Sequence, residues 1–111
     1  QKTDLVLQIQ SALKSLKDYE IESALLFGSQ ASGNTSNDSD VDLIVVLKQD
    51  NPFKSFQERM EVIVAIRQQL SEISKEYGLD LLVYSEPEWE EYLKKKSAFS
   101  REIESTALKV A

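Results

Sequence analysis

The apolar run Val41–Leu47 is the feature that most limits what this chain can fold into. It is β-branched and apolar nearly throughout, which is typical of a strand covered on both faces. Two further runs, Ile21–Phe27 and Leu79–Tyr84, are also predicted to be strands. With 111 residues the chain can form one core. We therefore predict one α/β domain over residues 1–111, in which helices pack against a small mixed sheet.

The segments around these strands have helical spacing. Thr3 to about Tyr19 and Ser55–Tyr77 are predicted helices, and another begins at Ser85. A last helix is predicted to start at Ala98 and to end in a short strand at Leu108–Val110. In the long second helix one stripe is predicted to face the core, formed by Phe56, Met60, Ile63, Ile66 or Arg67, Leu70 and Ile73.

Composition excludes several chemistries. The chain has no histidine and no cysteine, so a metal must be held by oxygen ligands and a general base must be a carboxylate, Lys or Tyr. A net charge of −6 argues against a broad phosphate-binding surface and thus against direct nucleic-acid binding. Leu43–Leu47, the longest apolar run, is far short of the ~20 residues that span a bilayer. We therefore expect a cytoplasmic protein without a membrane partner.

A glycine and a serine follow the first predicted strand directly. Gly28 allows close approach of a ligand to the backbone, and the hydroxyl of Ser29 could donate to a phosphate oxygen. Gln30–Gly33 is long enough for one or two helical turns, and the residues up to Ser39 are typical of a loop. When the Gly-Ser pair is taken alone, a plain tight turn is the favoured interpretation.

Three carboxylates interrupt apolar strands. Asp40 and Asp42 are two residues apart, so their side chains are predicted to point to the same face of the second strand. Asp80 repeats the pattern at the start of the third strand. If the two strands are neighbours, all three carboxylates meet and favour a shared cation such as Mg²⁺. Taken singly, each could instead lie at a turn or at a solvent-exposed strand end.

The chain resembles the DNA polymerase beta-type nucleotidyltransferase superfamily in three places, namely Gly28-Ser29-Gln30-Ala31-Ser32-Gly33, Ser39-Asp40-Val41-Asp42-Leu43, and Asp80 on a later strand. Its length and element order are similar to those of the minimal nucleotidyltransferases (MNT) within that superfamily. The resemblance spans roughly Ile21–Tyr84 and implies a polymerase beta-like fold.

The resemblance also implies a two-metal nucleotidyl transfer from ATP. Asp40 and Asp42 would hold two Mg²⁺ ions against the nucleoside triphosphate. Asp80 would complete the second metal site and orient or deprotonate an acceptor hydroxyl. Gly28 and Ser29 would hold the β- and γ-phosphates.

MNT proteins are commonly paired with a helical HEPN partner, an RNase toxin whose tyrosine can be adenylylated. The resemblance therefore implies an antitoxin that transfers AMP to such a partner, with oligomerisation left open. A binding module that neutralises the partner by contact, with a vestigial site, is the main alternative. Modification of a small molecule such as an aminoglycoside is less favoured, because those enzymes usually carry an added helical domain.

The chain departs from the family pattern in one respect. Many members carry a basic residue in the Gly-Ser loop, where this chain has Gln30 and Ser32. Either nucleotide binding is weaker, or another cation such as Lys48 or Lys54 substitutes, and the sequence leaves both readings open.

Two further clusters have plainer interpretations. The aromatic side chains of Trp89, Tyr92 and Phe99 are predicted to pack in a core or against a partner rather than on a base. The basic run Lys94–Lys96 is interpreted as a solvated helix end, with phosphate binding as the alternative.

Overall fold

The structure is a computed structural model that describes residues 2–28 and 40–111. Its helices are α1 (Lys2–Lys14), α2 (Phe56–Gln69), α3 (Ser71–Tyr77), α4 (Glu86–Lys94) and α5 (Ala98–Thr106). Its strands are β1 (Ile21–Phe27), β2 (Val41–Leu47), β3 (Leu79–Ser85) and β4 (Leu108–Lys109). The turns predicted at Gln30–Gly33 and the loop up to Ser39 lie outside the described residues.

The four strands form one mixed sheet in the order β3-β2-β1-β4. β2 pairs with β1 in the antiparallel direction and with β3 in the parallel direction, while β4 adds to β1 antiparallel. The predicted α/β class with a small mixed sheet is therefore confirmed.

Both faces of β2 are covered, as its apolar sequence predicts. Side chains alternate between the faces of a strand. Those of Val41, Leu43 and Val45 belong to the main core, which they share with α1, α2 and α3. Those of Ile44 and Val46 lie on the other face, which we call the second face, with Ile103 of α5. Asp42 shares this second face, since it is two residues before Ile44.

The long helix predicted over Ser55–Tyr77 is broken at Leu70, whose φ of −97° and ψ of 14° separate α2 from α3. The predicted core stripe is partly wrong, because Phe56 is 76% exposed and Met60 also lies at the surface. Apolar residues occupy more than one side of α2, so periodicity alone did not select the buried side. The buried residues of the two helices are Val62, Ile66, Leu70 and Ile73.

The start of α4 is fixed at the end of β3, as predicted. Ser85 caps the helix and exchanges side-chain hydrogen bonds with Glu88 in a capping box. Arg59 of α2 donates to the Val83 carbonyl and to the Glu88 carboxylate, the latter at 2.6 Å. Arg59 thus ties α2 to the outer edge of β3 and to the first turn of α4.

Within the part of the chain that the structure describes, every helix is too short or too polar to cross a bilayer.

Candidate active site

The sheet brings Asp42 and Asp80 side by side. Parallel pairing of β2 and β3 aligns the two residues in register, each one residue after the start of its strand. Antiparallel pairing places Phe27, the last residue of β1, opposite Asp42. The two carboxyl groups lie close enough to share a hydrogen bond when Asp42 is protonated. One end of the sheet therefore carries the acidic pair beside the point where β1 leaves the sheet.

Burial is the main reason that the pKa of Asp42 rises from 3.8 to about 6. A hydrogen bond that the protonated Asp42 carboxyl donates to Asp80, together with the charge of Asp80, raises the pKa further, and the charge of Asp40 adds a smaller effect. Two neighbouring carboxylates favour sharing a proton unless a cation lies between them. The pair is therefore electrostatically suited to bind a cation.

Asp40 lies one residue before β2, is exposed, and faces Gly78. A Cβ on Gly78 would lie 2.6 Å from Oδ1 of Asp40, closer than such contacts allow. The Val41 N–H donates to the Gly78 carbonyl at 3.1 Å, which fixes this approach. Gly78 also has a φ of +81°, which a side chain would disfavour. The sequence predicted Gly78 only as a helix stop, yet its absent side chain leaves room for the Asp40 carboxylate.

Gly28 makes a similar close approach to Asp42. It follows Phe27 with a φ of +73°. A Cβ at Gly28 would overlap Oδ2 of Asp42 and lie 3.3 Å from its Cγ. The two glycines thus make room for the carboxylates of Asp40 and Asp42. Ser29, the other predicted phosphate-binding residue, lies outside the described residues.

The acidic side chains supply only part of a metal site. Among residues 2–28 and 40–111, no three Asp or Glu side chains stand together as a complete ligand set. Mg²⁺ commonly takes one or two carboxylates and completes its shell with water and substrate phosphate oxygens. Asp42 and Asp80 fit that requirement as adjacent oxygen donors. Asp40 lies close enough for its charge to raise the pKa of Asp42.

The raised pKa of Asp42 predicts an effect on stability. Because the folded pKa exceeds the unfolded value, the folded state binds more protons between pH 3.8 and about 6. The free energy of unfolding should therefore fall as pH rises through this window. Replacing Asp42 by Asn removes the ionisation and should therefore raise the free energy of unfolding at pH 8. We expect an increase of about 1 kcal/mol, because solvent screening reduces the effect.

Thermal unfolding at pH 8 and pH 4 measures this effect. Asp42→Asn should raise Tm at pH 8 and leave it nearly unchanged at pH 4. Asp50→Asn, at an exposed position after the other end of β2, is the control and should change neither value. Destabilisation by Asp42→Asn at pH 8 would contradict the assigned electrostatics.

The mixed four-stranded sheet, with the acidic pair at one end, matches a polymerase beta-like α/β fold. A solved toxin–antitoxin structure with AMP-PNP has this fold, with a TM-score of 0.59 and 18% identity over 96% of this chain and 72% of that chain. The family model "Polymerase beta, Nucleotidyltransferase" matches residues 8–93. The chain belongs to this family, and the membership predicted from the Gly-Ser and Asp-x-Asp residues is confirmed.

The chain is also similar to a curated protein over part of its length. The "Putative protein adenylyltransferase MJ1379" of Methanocaldococcus jannaschii is 43% identical over 51 residues, which cover 45% of this chain. The match covers 50% of the relative, so the chain spans about half the length of the curated protein that it matches.

Proposed function

We propose that the chain is a Mg²⁺-dependent nucleotidyltransferase that moves AMP from ATP to a hydroxyl of a protein acceptor. The observation that carries the proposal is the register-matched pair Asp42 and Asp80, with Gly28 directly against Asp42. Membership of the nucleotidyltransferase family supports the reaction class. The adenylyltransferase name of the curated relative supports AMP as the transferred group.

The reaction would join the acceptor oxygen to the α-phosphorus of ATP. The bond from that phosphorus to the bridging oxygen would break, and pyrophosphate would leave. Asp40, Asp42 and Asp80 would hold two Mg²⁺ ions, which supply neutralising charge to the attacking and leaving oxygens. Asp80 would orient the acceptor hydroxyl and take its proton. Gly28 would let the triphosphate approach the backbone, with the Ser29 hydroxyl as a further donor.

The proposed acceptor is a tyrosine of a HEPN-family toxin, for which this chain would be the antitoxin. The likeness to a fold solved in a toxin–antitoxin structure supports such a pairing. Transfer to the toxin would add a bulky, negatively charged group and thereby block its activity. A separate partner would also supply the acceptor surface.

Labelled transfer tests this function. With ATP labelled at the α-phosphate, Mg²⁺ and a HEPN protein encoded beside this chain, we expect the label on one tyrosine of the partner. Omitting Mg²⁺ should abolish the labelling. Label from the γ-phosphate should not be transferred, which separates this reaction from phosphorylation.

Neutralisation by contact is the competing function. In that case the chain would suppress the toxin equally well without ATP, and Asp42→Ala would suppress it as well as wild type does. Suppression that requires ATP and Asp42 would instead support the enzyme.

A further inference from the structure

Leu82 is an exposed apolar side chain beside the acidic pair. Alternation along β3 puts it on the second face of the sheet with Asp80, which lies two residues earlier. Leu82 is 37% exposed, whereas Ile44, its partner in register on β2, is fully buried. The second face therefore carries a partly open apolar surface directly next to Asp80.

Aromatic side chains bound this surface at the next position along the strand. The ring of Tyr84, two residues after Leu82 on the same face, lies 5.3 Å from the ring of Trp89 and 5.8 Å from that of Tyr92. These residues of α4 cover Tyr84, but they leave Leu82 partly exposed. Leu82 thus lies between a packed aromatic cluster on one side and the carboxylate of Asp80 on the other.

The outer side of β3 leaves a path to this surface. In the order β3-β2-β1-β4, β3 is an edge strand of the sheet. Arg59 of α2 donates to the Val83 carbonyl on the outer side of the strand, farther from Asp80 than Leu82 is. Among the described strands none lies beyond β3, so a segment of another protein can approach Leu82 from the side.

The spacing between Asp80 and Leu82 suits the side chain of tyrosine. Side chains two residues apart on one face of a strand are separated by about 6.6 Å. This is close to the length of a tyrosine side chain from its hydroxyl oxygen to its Cβ. A phenol whose hydroxyl donates to the Asp80 carboxylate can therefore place its ring against Leu82. In serine and threonine the hydroxyl oxygen is bonded directly to Cβ, so neither side chain extends as far as Leu82.

We propose that Leu82 selects tyrosine as the acceptor by packing against its ring while Asp80 accepts the hydrogen bond from its hydroxyl. This inference rests on the proposed function, since it concerns the acceptor of the same transfer. It assigns the acceptor to the β3 side of the acidic pair, whereas the triphosphate is proposed to bind on the β1 side, at Gly28.

Leu82→Ala removes most of the apolar contact and leaves Asp80 in place. In the labelled transfer at saturating MgATP, we expect kcat/KM for the acceptor protein to fall about tenfold, since the ring would lose part of its burial. Leu82→Thr, which keeps a β-branched residue in the strand, should give a similar loss. Leu82→Met keeps the apolar surface and should retain at least about half of the wild-type value. None of these variants should change the Kd for MgATP, measured by calorimetry.

Leu108→Ala is the matched control. Leu108 is 38% exposed and lies on β4, at the opposite edge of the sheet. Its replacement removes the same atoms from an equally exposed position, so neither kcat/KM nor the Kd for MgATP should change. Thermal unfolding of each variant shows whether it is folded at the temperature of the assay.

Each outcome has a distinct meaning. Unchanged kcat/KM in Leu82→Ala and Leu82→Thr would overturn the inference and leave the proposed function standing. An equal loss in Leu108→Ala, or weaker MgATP binding by the Leu82 variants, would also overturn it, because the effect would not be specific to the acceptor. Label on a serine or threonine of the partner would overturn the selection of tyrosine, although nucleotidyl transfer would remain. If wild type transfers no label, the proposed function fails and the inference fails with it.

Discussion

Asp42→Asn is expected to lower the rate of AMP transfer about a thousandfold. Asn keeps the size of the side chain but removes the charge that would hold a metal against the α-phosphate. Metal-based charge stabilisation contributes several kcal/mol to such a transition state, and about 4 kcal/mol corresponds to a factor of a thousand. The initial rate of labelled transfer to the partner, at saturating ATP and Mg²⁺, measures the loss.

The matched control for this variant is Asp50→Asn. Asp50 is exposed and lies beyond the end of β2 that is distant from the acidic pair, so its replacement should leave the rate unchanged. The stability expected of Asp42→Asn at pH 8 ensures that lost activity does not reflect unfolding. Retention of even a tenth of the wild-type rate would show that Asp42 does not hold a catalytic metal.

Gly28→Ala is expected to damage both the fold and the reaction. The φ of +73° alone costs an L side chain about 1–2 kcal/mol. The new Cβ would also displace the Asp42 carboxylate from its hydrogen bond with Asp80. We expect a loss of about 2 kcal/mol in the free energy of unfolding and of at least about a hundredfold in transfer rate, since small misplacements of reacting groups have large effects.

A double-mutant cycle separates the two causes. In an Asp42→Ala background the carboxylate is absent, so Gly28→Ala should destabilise only through its backbone conformation. Denaturant unfolding of the four proteins should give a coupling of about 1 kcal/mol between the two positions. No coupling would mean that the Asp42 carboxylate does not disfavour a side chain at position 28.

Much of the fold followed from local patterns. β1 and β2 have the predicted bounds because each is a short apolar run next to glycine or polar residues. The start of α4 was also predictable from local sequence, because Ser85 and Glu88 are residues that cap a helix. The break at Leu70 was not predictable, because no proline or glycine marks it and the apolar pattern continues across it.

The site was predictable only in part. The spacing of Asp40 and Asp42 indicated one shared face, and Asp80 repeated their unusual placement in an apolar strand. The register that joins Asp42 to Asp80 depends on parallel pairing between distant segments, which periodicity does not specify. The fit of Gly78 against Asp40 likewise depends on tertiary packing.

The most direct test of the account is the position of the metal. Crystals grown with Mn²⁺ and an ATP analogue that has a carbon bridge between the α- and β-phosphorus atoms would show it by anomalous scattering. We predict a Mn²⁺ peak bound by oxygens of Asp42 and Asp80, at about 2.1–2.2 Å, with the triphosphate beside Gly28. Triphosphate and metal bound elsewhere, with the two carboxyl groups still sharing their hydrogen bond, would contradict the proposed active site.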